Sequence, residues 1–177
     1  MNEGTDLLFV YGTLLTRARG ELGADMRARL KETSTSLGAA TIPGRLFDMG
    51  TYPVMIAAAV PSDTVHGEVL RLRDPEAVFV WLDPYEGITP GHRRQGEYER
   101  VRRPVRLHTG EELTVWVYLY VASISGLPAI HGGRWEGRVP HLYPMCARAL
   151  ASTRTKSASS ASLAPRQPSA ICSAKSR

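Results

Sequence analysis

Residues 113–121, LTVWVYLYV, alternate strictly: Leu113, Val115, Val117, Leu119 and Val121 fall on one side of an extended chain, and Thr114, Trp116, Tyr118 and Tyr120 on the other. Successive side chains of a strand point to opposite faces, and here both faces carry large apolar or aromatic groups. Such a strand needs cover on both sides, so it belongs in the middle of a sheet. It pairs naturally with YERVRRPVRL (98–107) through a turn at His108–Glu111 that contains Gly110. Pro104 lacks a ladder donor and marks a bulge or an edge position.

The rest of the chain up to residue 137 also reads mainly as strands. LLFV (7–10) has the composition of an interior strand. SLGAATIPGRLFDMG (36–50), YPVMIA (52–57) and VHGEVLRL (65–72) are short apolar or alternating pieces punctuated by Gly and Pro, as expected of a sheet that curls. In VHGEVLRL the apolar phase slips between Val69 and Leu70, which predicts a bulge near the middle of that strand. One helix is clear: in DPEAVFVWLDPY, Asp74 can cap, Pro75 suits the first helical position, Val78, Trp81, Leu82 and Tyr85 recur at helical spacing, and Pro84 ends it. A weaker helix is predicted over Leu22–Lys31.

Length and composition bound the class. A chain of 177 residues, 43% hydrophobic, is ordinary for one soluble domain. No apolar run approaches a bilayer span and the first residues lack a leader's pattern, so a cytoplasmic protein without membrane contact is expected. The net charge of +5 suggests a nucleic-acid partner only until it is located. Five basic residues and no acidic one follow Ala151, and removing those five from the 22 Lys and Arg leaves 17 against 17 Asp and Glu. The folded part is therefore neutral, and no nucleic acid is expected as a partner. Cys146 and Cys172 show no disulfide or zinc spacing, and His66, His92, His108, His131 and His141 are scattered, so neither a metal nor a cofactor is expected. The last residues, from about 151, are rich in Ser, Ala and Pro and read as a disordered tail.

Two short motifs carry chemistry. In LFVYGTL the strand breaks at Gly12, either because the chain simply turns or because N–H groups after the glycine form a nest for a carboxylate. In LDPYEG (82–87) an acid, Glu86, sits on a turn beside Trp81 and Tyr85. It is either a solvated turn residue or a carboxylate held against aromatic surface.

Their order is more specific than either alone. LFVYGTL, GRLFDMGTYPVM (44–55), LDPYEG, YERVRRPV (98–105) and VWVYLYV together resemble the gamma-glutamylcyclotransferase-like family over roughly residues 7–136. The resemblance implies an α+β, mostly β fold, a small mixed or antiparallel barrel with short flanking helices, as a catalytic domain over 1–137, followed by an extension over 138–177. It implies that Tyr11, Gly12, Thr13 and Leu14 bind the glutamyl group of a small-molecule substrate and that Glu86 is the acid/base. Tyr98 and Tyr118 fall in the motifs that follow and are carried over as binding residues; the oligomeric state stays open. Two stretches depart from the pattern: HGGRWEG (131–137) stands where the family often has an SGDW-like stretch, and the 87–97 loop carries Arg93 and Arg94, read as solvated or as a lid.

The implied reaction, closure of a gamma-glutamyl amine or amino acid to 5-oxoproline with release of an amine, needs no enzyme nucleophile. It needs one carboxylate whose pKa is raised by apolar neighbours, for which Trp81 and Tyr85 are the candidates. Asp83 is the competing acid and reads as a turn or capping residue. Hydrolysis of a small amide or ester in the same cavity, and non-catalytic binding, remain the alternatives.

Overall fold

The computed structural model describes residues 6–58, 60, 62–88 and 96–137. In chain order these form β1 (Leu7–Val10), α1 (Ala24–Thr33), β2 (Ser34–Asp48), β3 (Pro53–Ala57), β4 (Thr64–Leu72), α2 (Pro75–Tyr85), β5 (Tyr98–Leu107), β6 (Glu112–Tyr120) and β7 (Ala129–Ile130). Two 3₁₀ turns, Gly12–Leu14 and His131–Gly133, lie between them.

Five strands close into a mixed barrel. β2 pairs with β4, β4 with β1, β1 with β6, β6 with β5, and β5 returns to β2 through Ala40↔Leu107 and Thr41↔Arg106. Among the described pairings only β1–β6 is parallel. β3 and β7 extend from β2 outside this ring. The expected β5–β6 hairpin is present, with Tyr98↔Tyr120 at one end and Arg106↔Glu112 at the other. Pro104 sits in regular register opposite Thr114, and described pairing on the other side of β5 is confined to Arg106 and Leu107, so it occupies an edge and not a bulge.

β1 explains why both faces of the wall are apolar. Leu7 and Phe9 point into the barrel with Val69, Val115 and Val117, whereas Leu8 and Val10 point outward and are covered by Leu30 of α1 and Val78 and Leu82 of α2. Burying one such aliphatic side chain stabilises the fold by about 1.5–3 kcal/mol. The two faces also correct the reading of VHGEVLRL. β4 carries no extra residue; Val65 and Val69 face the barrel core while Leu70 and Leu72 face the helices, and the register shift lies in β2, between Ser36 and Gly38.

α2 starts as its sequence dictates, with Asp74 accepting a bond from the Ala77 N–H at 3.1 Å and Pro75 in the first turn. Its buried face is Val78, Phe79 and Leu82, so Tyr85, expected on that face, is instead 43% exposed. Pro84 lies within the last turn, and the helix stops one residue later.

Candidate active site

The end of α2 holds Glu86 in place. Gly87 adopts φ +76, the left-handed conformation that residues with a Cβ avoid, and this lets the chain fold back on the helix. The Gly87 N–H donates to the Pro84 carbonyl at 3.1 Å and the Ile88 N–H to the Asp83 carbonyl at 2.8 Å, the paired bonds of a glycine-closed helix end. LDPYEGI is therefore a helix stop, and the residue just before the glycine has one backbone position available to it.

That position opens onto a cavity of about 310 Å³ between the end of β1, the 12–14 turn, β3, β5 and β6. Tyr11, Thr13, Leu14, Glu86, Tyr98 and Tyr118 all line it. Of the residues expected to bind substrate, Gly12 does not. It is buried with φ +68, and a Cβ there would lie 2.4 Å from the Pro53 ring. The strand breaks at Gly12 because the turn requires a left-handed residue packed on Pro53, which frees its neighbours to face the cavity. A 3₁₀ turn leaves its first N–H groups without partners inside the turn. Arg27 of α1 fastens this one from behind, donating to the Thr13 carbonyl at 2.8 Å and the Leu22 carbonyl at 2.7 Å.

Asp83 is neither a cap nor a turn residue, contrary to expectation. Its carboxylate is gripped in bidentate fashion by Arg100, Oδ1 by Nε at 2.9 Å and Oδ2 by Nη2 at 3.1 Å, and Oδ1 also accepts from the Tyr118 hydroxyl at 2.6 Å. Arg100 in turn lies over the rings of Phe79 at 3.7 Å and Trp116 at 4.7 Å. Register explains the arrangement: Arg100 is directly opposite Tyr118 on the β5–β6 ladder, so the two side chains share the face that α2 covers. The chain of contacts continues to the cavity floor, where the Tyr11 hydroxyl donates to the Tyr118 carbonyl at 2.9 Å.

Electrostatics separate the two acids. Burial, and then the negative charge of Asp83, push the Glu86 carboxyl up to about 7. The negative end of the α2 dipole acts in the same direction. Burial likewise holds the phenols of Tyr11, Tyr98 and Tyr118 well above their ordinary value, so they line the cavity uncharged, with the Tyr11 and Tyr118 hydroxyls already donating to the Tyr118 carbonyl and Asp83. The surroundings of Glu86 are these tyrosines together with Tyr85. Trp81, the other aromatic expected beside Glu86, is not among them; it packs with the α1–α2 cluster beneath Arg29, 4.4 Å from its ring.

Sequence reasoning missed Arg100, Arg27, Tyr52 and the rim carboxylate Glu97. Arg100 was findable, since it stands two residues after Tyr98 on the same strand face. Arg27 and Tyr52 come from a polar helix and a loop with no period to mark them. Arg93, Arg94 and the residues from 138 on, including both cysteines and the tail, lie outside the described residues. Among the described residues no group of three or more His, Cys, Asp or Glu is placed to hold a metal ion, and no helix is long and apolar enough to cross a membrane.

Comparison with known proteins bears on this geometry. The family model described as "Gamma-glutamyl cyclotransferase, AIG2-like" matches residues 8–137. The protein ytfP of Escherichia coli is 31% identical, with a TM-score of 0.50 over 73% of this chain and 96% of its own. An AIG2-like protein of Mus musculus shares the fold at 19% identity, with a TM-score of 0.51 over 76% of this chain and 97% of its own. YkqA of Bacillus subtilis, 24% identical with a TM-score of 0.52, is matched over 76% of this chain but only 40% of its own length. The comparison with curated proteins gave no match.

Proposed function

The chain belongs to the gamma-glutamyl cyclotransferase, AIG2-like family, and on that premise we propose that it converts a gamma-glutamyl amine or amino acid to 5-oxoproline and a free amine, with Glu86 as the acid/base. The observation that carries the reading is the buried Glu86 carboxyl, pushed up to about 7, facing a tyrosine-lined cavity whose other carboxylate, Glu97, lies exposed at the rim. A group with that pKa is divided between its two forms near neutral pH, which suits it both to take and to return a proton.

The steps balance on that one residue. Glu86 accepts a proton from the substrate's α-ammonium, and the freed nitrogen attacks the γ-carbonyl carbon. The C–N bond to the leaving amine then breaks while Glu86 hands the proton to that amine; the ring nitrogen's second proton follows by way of the regenerated carboxylate to the same amine, which departs as its ammonium, so protons and charge balance and no redox change occurs. The substrate's own α-amine is the nucleophile, so the reaction calls on no side-chain nucleophile. The Tyr98 hydroxyl and the N–H groups of Thr13 and Leu14 are available to orient the substrate's carboxylate and γ-carbonyl, while the Tyr11 and Tyr118 hydroxyls, already donating to the Tyr118 carbonyl and Asp83, fix the shape of the cavity. Holding the two reacting atoms together is itself worth up to about 7–11 kcal/mol of barrier. Asp83 does not compete for the role, because its Oδ1 already accepts from both Arg100 and Tyr118.

Mass analysis of products from a panel of gamma-glutamyl amines and amino acids tests the reading. 5-Oxoproline is the expected product; glutamate in its place would make the protein a hydrolase, and no turnover by folded protein would leave a binding module.

A further inference from the structure

A second cavity lies on the outer wall of the barrel, where β2, β4 and β5 meet. Thr41 of β2 is paired with His66 of β4 on one side and with Arg106 of β5 on the other. Directly paired residues project from the same face, so His66 and Arg106 flank the Thr41 side chain. Their neighbours of opposite phase, Ala40, Ile42, Val65 and Leu107, are buried in the barrel core, which puts this rung on the outside.

Two further segments bring cations to it. Arg17 follows the 12–14 turn, and Arg134 follows the 131–133 turn. That second turn is seated directly on β4: the Gly133 backbone lies so close to the Thr64 carbonyl that no side chain would fit there. Arg134 therefore lines the same cavity as His66. Arg17, Thr41, His66, Arg106, His108 and Arg134 line a cavity of about 300 Å³ that has no acidic residue in its wall. Of the carboxylates nearby, Glu112 pairs with Arg106 itself at 2.6 Å, which leaves Arg17 and Arg134 as the unpaired cations of the site, and Glu68 accepts from Thr16 and Ser36. Arg17 and Arg134 have no hydrogen bond or ion pair among the described residues. Burial, with the charges of Arg134 and then Arg17, holds the His66 imidazole below its ordinary pKa, as expected of a group facing uncompensated cations.

Since the acids and bases before residue 151 balance, this concentration of positive charge is a local feature, not a by-product of a basic chain. We infer that the Arg17–His66–Arg134 cavity binds a compact oxyanion, the phosphate group of inorganic phosphate or of a small phosphomonoester. Guanidinium forks match tetrahedral oxyanions in shape and charge, and the Thr41 hydroxyl and His66 add hydrogen-bonding groups between them. The site shares no lining residue with the Glu86 cavity and does not depend on the reaction proposed there.

The test is a titration of the full chain at low salt, followed by the NMR signals of the His66 ring, with inorganic phosphate and with glycerol 3-phosphate. Saturable movement of those signals is expected, and the Arg17→Ala/Arg134→Ala variant should bind at least about tenfold more weakly, as loss of two charge-assisted contacts implies. Both arginines are exposed, so the variant should fold, and Thr41→Val gives a second, milder loss. Tighter binding of glycerol 3-phosphate would identify an organic phosphate as the ligand class, and equal binding the free oxyanion. Movement without saturation over the millimolar range, or equal affinity in the double-alanine variant, would overturn the inference.

Discussion

Asp83 and Glu86 are three residues apart at the end of one helix, yet they face two regions that treat a carboxylate in opposite ways. On the Asp83 side, a bidentate arginine and a tyrosine hydroxyl compensate the negative charge. On the Glu86 side there are neutral phenols, a cavity, and Asp83 itself as a nearby like charge. A carboxyl pushed up by burial and by a neighbouring negative charge is the usual arrangement behind proton-transfer chemistry. After burial, the negative charge of Asp83 is what raises the Glu86 carboxyl, so the structural ion pair also tunes the cavity.

The largest effect separating the two regions should be on rate. Glu86→Gln is expected to lower kcat by about 10²- to 10⁴-fold, the value of general acid/base catalysis, with no loss of fold, as steady-state assays and circular dichroism would show. Asp83→Asn should act mainly on stability. It strands the Arg100 guanidinium, so denaturant unfolding should report a loss of about 2–3 kcal/mol. Replacing both partners, Asp83→Asn with Arg100→Met, should recover part of that loss, because no unpaired charge remains. The same Asp83→Asn variant should move the acidic limb of the pH–rate profile below 7, since a charge that raises the Glu86 pKa is gone.

A third contrast is in stability against pH. Glu86 has a raised folded-state pKa, so the native state holds its proton more tightly than the unfolded chain does. Stability contributed by that proton is intact below the ordinary carboxylate value and is lost as pH rises towards 7. Glu86→Gln should therefore match wild type at pH 4 and exceed it by about 1–2 kcal/mol at pH 8 in denaturant unfolding. The smallest effect belongs to Tyr118→Phe. Losing the 2.6 Å bond to Asp83 should cost about 1 kcal/mol and leave a measurable turnover.

Much of this architecture can be read from the sequence because local rules and packing agree there. The alternation of 113–121, the Gly110 hairpin and the Asp74–Pro75 helix start each impose one local geometry, and the barrel uses all three. The position of Glu86 follows from the glycine that must end α2. The Asp83–Arg100–Tyr118 cluster was not legible, because it joins a helix end to two strands through a register that only the closed barrel sets. The phase slip in β4 misled for a related reason: a change of apolar phase is the mark both of a bulge and of a strand covered on two sides, and only the helices decide between them. Gly12 was ambiguous for the same kind of reason, since a left-handed turn packed on Pro53 and a ligand-binding nest ask for the same residue.

The most direct test needs no substrate. The side-chain carboxyl carbons of Asp and Glu can be followed by NMR from pH 3 to pH 9, with Glu86→Gln used to assign the Glu86 resonance. The account predicts that this carboxyl titrates near 7, and at a lower pH in Asp83→Asn. A midpoint near 4.5, unmoved by Asp83→Asn, would mean that Glu86 is an ordinary solvated acid, and would remove the basis for assigning it the proton transfers.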